Sequence, residues 1–123
     1  MFAGVLSVCA GVALADDAAG LWLTGPDAKG QVGHVRMAPC GAALCGTVVE
    51  AFDKAGKPVV TRNVGKQVIW GMTRVAAGEY TGRMRISQLG KDVDGHMSVK
   101  GEVLTVRGCL AKLCKSQKWK RLK

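Results

Sequence analysis

Beyond residue 16 the apolar residues recur at every second position in short runs, and turn-forming residues separate the runs. Val35 and Met37 alternate with His34 and Arg36, and Leu104 and Val106 alternate with Thr105 and Arg107. A period of two belongs to strands with one dry and one wet face. No window carries the spacing of an amphipathic helix over three turns. The pattern predicts strands at Leu21–Thr24, Gln31–Ala38, Gly46–Phe52, Gln67–Arg74, Glu79–Ile86, His96–Lys100, Glu102–Arg107 and Lys115–Arg121. Between them stand Gly25-Pro26-Asp27, a loop from Asp53 through Gly56-Lys57-Pro58 to Asn63, and Asp92-Val93-Asp94-Gly95, all rich in turn chemistry. Eight short strands with tight connections predict an all-β fold, a small antiparallel up-and-down barrel. Closure into a tube removes the unpaired edges that would otherwise recruit other chains.

The first fifteen residues, MFAGVLSVCAGVALA, break this pattern. They are apolar and uncharged, end in Ala13-Leu14-Ala15, and are followed by Asp16-Asp17. An apolar core before small residues at a cleavage point is a secretory signal, although the basic residues that usually precede such a core are missing. The run is too short to span a bilayer, so an integral membrane protein is not expected. Cleavage after Ala15 removes Cys9 and leaves residues 16–123 as a single domain, periplasmic or secreted.

Four cysteines remain, in APCGAALCG and RGCLAKLCK, each pair with four intervening residues. Four cysteines allow three connectivities. Each pair flanks a predicted hairpin turn, where two flanking residues face each other within reach of a bridge. In an eight-stranded up-and-down barrel these two turns lie at opposite ends, which rules out cross-links between the pairs. The expected bridges are Cys40–Cys45 and Cys109–Cys114. A structural zinc site generally uses tighter spacing, and a thiol redox site uses C-x-x-C.

Little else in the chain carries reactive chemistry. His34 and His96 fall on different strands without a third metal ligand at a useful spacing. Asp92-x-Asp94-Gly95 opens like a calcium loop but lacks the later ligands. The serines lack a nucleophile-elbow context, and no glycine-rich loop precedes a helix. No catalytic residue, metal or cofactor is expected, and the chain reads as non-enzymatic.

The order of Gly20-Leu21-Trp22, Ala38-Pro39-Cys40 through Cys45-Gly46, Gly56-Lys57-Pro58, Asn63, Val68-Ile69-Trp70-Gly71, Leu104 through Cys109 and Cys114-Lys115-Ser116-Gln117-Lys118-Trp119-Lys120-Arg121 resembles the bacterial domain-of-unknown-function family 2147. The two cysteine segments and the closing Ser-Gln-x-Trp-x-Arg are the specific part. The resemblance implies a small exported protein with a lipocalin-like barrel and supplies no activity. One departure is that the family's Tyr-containing strand after a Gly-Lys turn is replaced here by Asp92-Val93-Asp94-Gly95-His96-Met97.

If the barrel closes, Trp22 on the first strand and Arg121 on the last become neighbours. A guanidinium over an indole face contributes about 0.5–2 kcal/mol. Trp119 shares a face with Arg121, two residues away. These three residues are expected to close the barrel.

Two functional readings follow. In the first, the apolar side chains Val35, Met37, Val49, Ile69, Met84, Ile86, Leu104 and Val106 line a pocket for a small apolar or amphipathic ligand. The same side chains could instead fill the interior, methionine being an adaptable gap-filler. The second reading starts from charge. The net charge is +9, and basic residues crowd the C-terminal segment, with Lys115, Lys118, Lys120 and Lys123 as an expected basic face. Such a face would contact anionic lipid, lipopolysaccharide or an acidic partner of the cell envelope. The export signal and the lack of an aromatic stacking platform argue against nucleic acid.

Overall fold

The computed structural model describes residues 17–123. The leader read over residues 1–15, its cleavage point and Cys9 lie outside the described residues.

Nine strands make one antiparallel sheet: β1 (Gly20–Leu23), β2 (Val32–Cys40), β3 (Ala43–Phe52), β4 (Pro58–Val59), β5 (Gln67–Ala76), β6 (Glu79–Ile86), β7 (Lys91–Lys100), β8 (Val103–Leu110) and β9 (Leu113–Arg121). Following the ring from β1, the strands run through β9, β8, β7, β6, β5, β3 and β2 and return to β1. Eight strands therefore form a closed barrel, and the two-residue β4 is appended to the end of β3. No helix among the described residues is long and apolar enough to cross a membrane.

The strands alternate as the sequence pattern requires, with Trp22, Val35, Met37, Ile69, Met97, Leu104, Val106 and Trp119 buried. The two-residue turns after β2 and β7 begin at Gly41 and Gly101, whose φ angles are 68° and 60°. Glycine is the residue that adopts this region without a Cβ clash. The equivalent place after β8 is Ala111, at φ 55°.

Two expectations need correction. Asp92-Val93-Asp94-Gly95 is not a turn; it lies inside β7, and the reversal falls on residues 87–90. Asp92 and Asp94 lie outward and pair with Arg85 and Arg83 of β6, at 2.9 and 2.7 Å. The strand thus begins directly after Gly90, with Lys91, and carries Asp92 and Asp94 on its outer face. The second correction concerns Val49. In the β2–β3 ladder His34 faces Glu50 and Val35 faces Val48, so Val49 is an extra, unpaired residue. This bulge shifts the inward set, and Val48 rather than Val49 joins the core.

Candidate functional site

Up-and-down topology sorts the connections to opposite ends of the tube. One end carries the N-terminal segment 17–19, the turns at 41–42, 77–78 and 101–102, and the C-terminal residues 122–123. The other carries the connections 24–31, 53–66, 87–90 and 111–112.

The first end is clasped shut. Trp22 and Arg121 are register partners on β1 and β9, and the Arg121 guanidinium sits 4.3 Å from the Trp22 ring centroid. Arg121 also donates to the carbonyls of Asp17, at 2.7 Å, and Ala19, at 3.0 Å. The Trp22 indole N–H donates to the Ala18 carbonyl at 2.9 Å, and both Trp22 and Ala18 are wholly buried. The segment 17–19 therefore seals this end while the cation–π contact locks the seam. Trp119 lies inward beside it and donates to Gln117 at 2.7 Å.

The interior between the ends is filled. Three glycines face inward, and a Cβ added at each would meet a neighbouring side chain: Met37 Sδ at 2.6 Å for Gly46, Met72 Cε at 2.8 Å for Gly95, and Met84 Sδ and Val93 Cγ2 at 3.1 Å for Gly108. Long methionines over bare backbone give the large-against-small interlock of a packed small barrel. The expected pocket residues Val35, Met37, Ile69, Ile86, Leu104 and Val106 are buried, and Met84 is partly so. The structure adds Leu44, Met72, Tyr80, Val93 and Met97 to the buried set. Val93 was hidden by reading residues 92–95 as a turn, whereas Met97 lies in the strand predicted over His96–Lys100. Met72 is displaced from simple alternation by the register shift between Trp70 and Thr73. The two best-formed concavities open outward. One, of about 430 Å³, lies on the outer wall among Thr73, Thr81, Arg83, Asp94 and His96; the other, of about 190 Å³, lies by the 41–42 turn at the clasped end and reaches the buried Leu44, Met72 and Tyr80. The Tyr80 hydroxyl is buried and meets no hydrogen-bond partner among the described residues.

The cysteines join within their own hairpins, Cys40 to Cys45 and Cys109 to Cys114, with Cα atoms 5.6 and 4.0 Å apart. The turns are tighter than the four-residue loops of the sequence reading. Cys109 and Cys114 face each other directly, whereas Cys40 faces Ala43 and Cys45 faces Ala38. Two such bridges point to an oxidising, extracytoplasmic compartment.

On the outer wall the two signs of charge are handled differently. The ion pairs among the described residues use arginine: Arg74–Asp17, Arg83–Asp94, Arg85–Asp92 and Arg121–Glu102. The carboxylates of Asp27 and Asp53 accept backbone N–H groups of their own turns, and Glu79 accepts from Ser98. No lysine among the described residues enters an ion pair, and every one is exposed. Lys118 and Lys120 stand together on the outer face of β9, near Arg107 and Lys100 of β8 and β7. Lys115 does not share that face. Its register partner is Gly108, whose Cβ direction is inward, so Lys115 belongs to the opposite parity near the β8–β9 turn. Lys123 lies beyond β9 at the clasped end, where its carbonyl accepts from Leu21 N–H at 3.0 Å. His34 packs its ring against Phe52, 4.7 Å between centroids, and His96 lies across from Thr81 and Arg107. Among the described residues no three His, Cys, Asp or Glu side chains converge as a metal site.

A search of the solved structures finds a similar chain described as "Protein HP1028 from the human pathogen Helicobacter pylori belongs to the lipocalin family". The TM-score is 0.66 at 13% identity, over 85% of this chain and 82% of that one, a likeness of fold alone. No curated protein matches the chain. The family described as "Uncharacterized protein conserved in bacteria (DUF2147)" matches over residues 20–121, nearly the whole barrel, and the chain belongs to that bacterial family.

Proposed function

We propose that this chain is an exported, non-enzymatic binding barrel that engages an anionic partner of the cell envelope through its lysine-bearing exterior. One observation carries the reading. The acidic groups are mostly taken up by arginines, backbone turns and Ser98, while the lysines of the described residues project without forming an ion pair. The outward field is therefore positive, and anions are drawn to it. The test is binding of the mature chain to lipopolysaccharide, to phosphatidylglycerol vesicles and to an acidic polymer, with phosphatidylcholine vesicles as control. Binding to one or more of the anions, weakening as salt rises, is expected. Retention on none of them at physiological ionic strength refutes the reading.

The lipocalin-like fold supports a second reading, a small apolar or amphipathic ligand held inside the tube. The methionines favour it: Met84 is only partly buried, and thioether side chains yield more readily than branched ones. A ligand would enter by moving Met84 off Gly108, and only a small one fits, because the interior is otherwise occupied. Native mass spectrometry of protein taken from its own compartment decides this point. A retained small molecule supports the interior site; bare protein alone counts against it.

A further inference from the structure

The end of the barrel opposite the clasp has a composition unlike the rest of the surface. Its four connections contain Lys29, Lys54, Lys57, Arg62, Lys66 and Lys112 against Asp27 and Asp53. Both of those carboxylates are engaged by backbone N–H groups of their own turns, at 2.8–2.9 Å. Lys91 and Lys115 stand at the ends of the adjoining strands. The clasped end is different: its turns and terminal segments hold Lys123 against Asp17 and Glu102. The cations of the connections are thus concentrated at one end, while Lys100 and Lys120 stand on strand ends at the other, a pattern invisible in the net charge.

The same end exposes large apolar side chains among those cations. Val60 is 97% exposed, Leu113 65%, Leu89 44% and Leu110 42%. Leu110 and Leu113 face each other at the tip of the β8–β9 hairpin, with Ala111 and Lys112 between them and the Cys109–Cys114 bridge directly behind. The bridge holds this tip rigid, so little ordering is needed for it to enter another phase. The clasped end also shows Val75, Val103 and Leu122, with Lys100 and Lys120 beside Val103 and Lys123 beside Leu122, but its turns carry no lysine.

Apolar tips ringed by lysines are the chemistry of a surface that sits on an anionic bilayer. The lysines meet lipid phosphates, and the tips enter the headgroup boundary. A flat partner can touch the flank of a cylinder only along a line, whereas the end presents several loops at once. From this geometry we infer that the barrel docks end-on to anionic phospholipid through its connections 53–66, 87–90 and 111–112, with Val60, Leu89, Leu110 and Leu113 inserted. The inference rests on the anionic-partner reading above and narrows it to one partner and one surface.

The test uses vesicles of phosphatidylglycerol and phosphatidylethanolamine, with phosphatidylcholine vesicles as control. The mature chain should bind only the anionic vesicles, and less tightly as salt rises. Reversing Lys54 and Lys112 to Glu should weaken binding about tenfold or more, since each lysine near an anionic surface adds appreciably to affinity. Leu113→Ser, which leaves the charge unchanged, should weaken it severalfold. Lys118→Glu with Lys120→Glu, on the flank, should have the smaller effect. Tryptophan emission should shift to the blue on vesicle binding for Leu113→Trp and not for Val75→Trp at the other end. Loss of binding in the flank pair with retention in the end variants overturns end-on docking and leaves the anionic-partner reading standing. So does binding to lipopolysaccharide or an acidic polymer with none to anionic vesicles. Indifference of every anion to the protein overturns both.

Discussion

The two ends of this barrel solve different problems. At the clasped end a buried tryptophan, an arginine with three kinds of partner and the segment 17–19 hold the first and last strands together. At the other end the loops form few side-chain contacts beyond their own turns, and lysines and leucines project outward. Stability is concentrated where the sheet must close; among the far loops, residues 64–66 still pack Val64 on the core and hydrogen-bond to Val48, while the remaining tips project outward. That separation lets charged and apolar loop tips stand in solvent without loosening the core.

Substitutions at the clasped end should therefore cost far more than substitutions among the loops. Trp22→Ala removes the largest wholly buried side chain at the seam and should destabilise by about 3–5 kcal/mol in urea unfolding. Arg121→Ala deletes the cation–π contact and two hydrogen bonds to main-chain carbonyls; a loss of about 2–3 kcal/mol is expected by the same measurement. Removing the Cys109–Cys114 bridge by a double change to Ser should cost about 2 kcal/mol, because the loop it closes is short. A larger loss there would mean that the far end contributes to closure, which would break the contrast. Ala111→Gly should stabilise by about 0.5–1 kcal/mol, since Ala111 holds a positive φ that glycine accepts more easily. Lys112→Glu, by contrast, should leave the unfolding midpoint where it is while changing vesicle affinity.

A further change sharpens the account of the interior. Tyr80→Phe removes a buried hydroxyl that meets no partner among the described residues, so unfolding stability should stay level or rise by up to about 1 kcal/mol. A marked loss would mean that the hydroxyl is hydrogen-bonded in the folded protein.

Much of the fold is legible in the chain because its causes are local. Alternation of apolar and polar residues writes the strands, and glycines mark several of the reversals. Two cysteines with four residues between them, on either side of a turn, have little choice of partner. The pairing of Trp22 with Arg121 followed once closure was assumed, because in an up-and-down ring the first and last strands must be neighbours. Other features depend on how the strands are staggered around the ring, and no single segment carries that information. The bulge at Val49 puts Val48 into the core and reverses the parity that simple counting assigns. Asp92 and Asp94 have the composition of a turn, yet Arg85 and Arg83 on the neighbouring strand hold them in a ladder. Whether the apolar residues line a cavity or fill it was decided by Gly46, Gly95 and Gly108, each of which accepts a methionine from across the sheet. Segregation of lysines to one end likewise needs the topology, since the connections that carry them are far apart in sequence. Local chemistry determines what each strand is; only the closed ring decides which side chains meet, because meeting depends on register summed over eight strands.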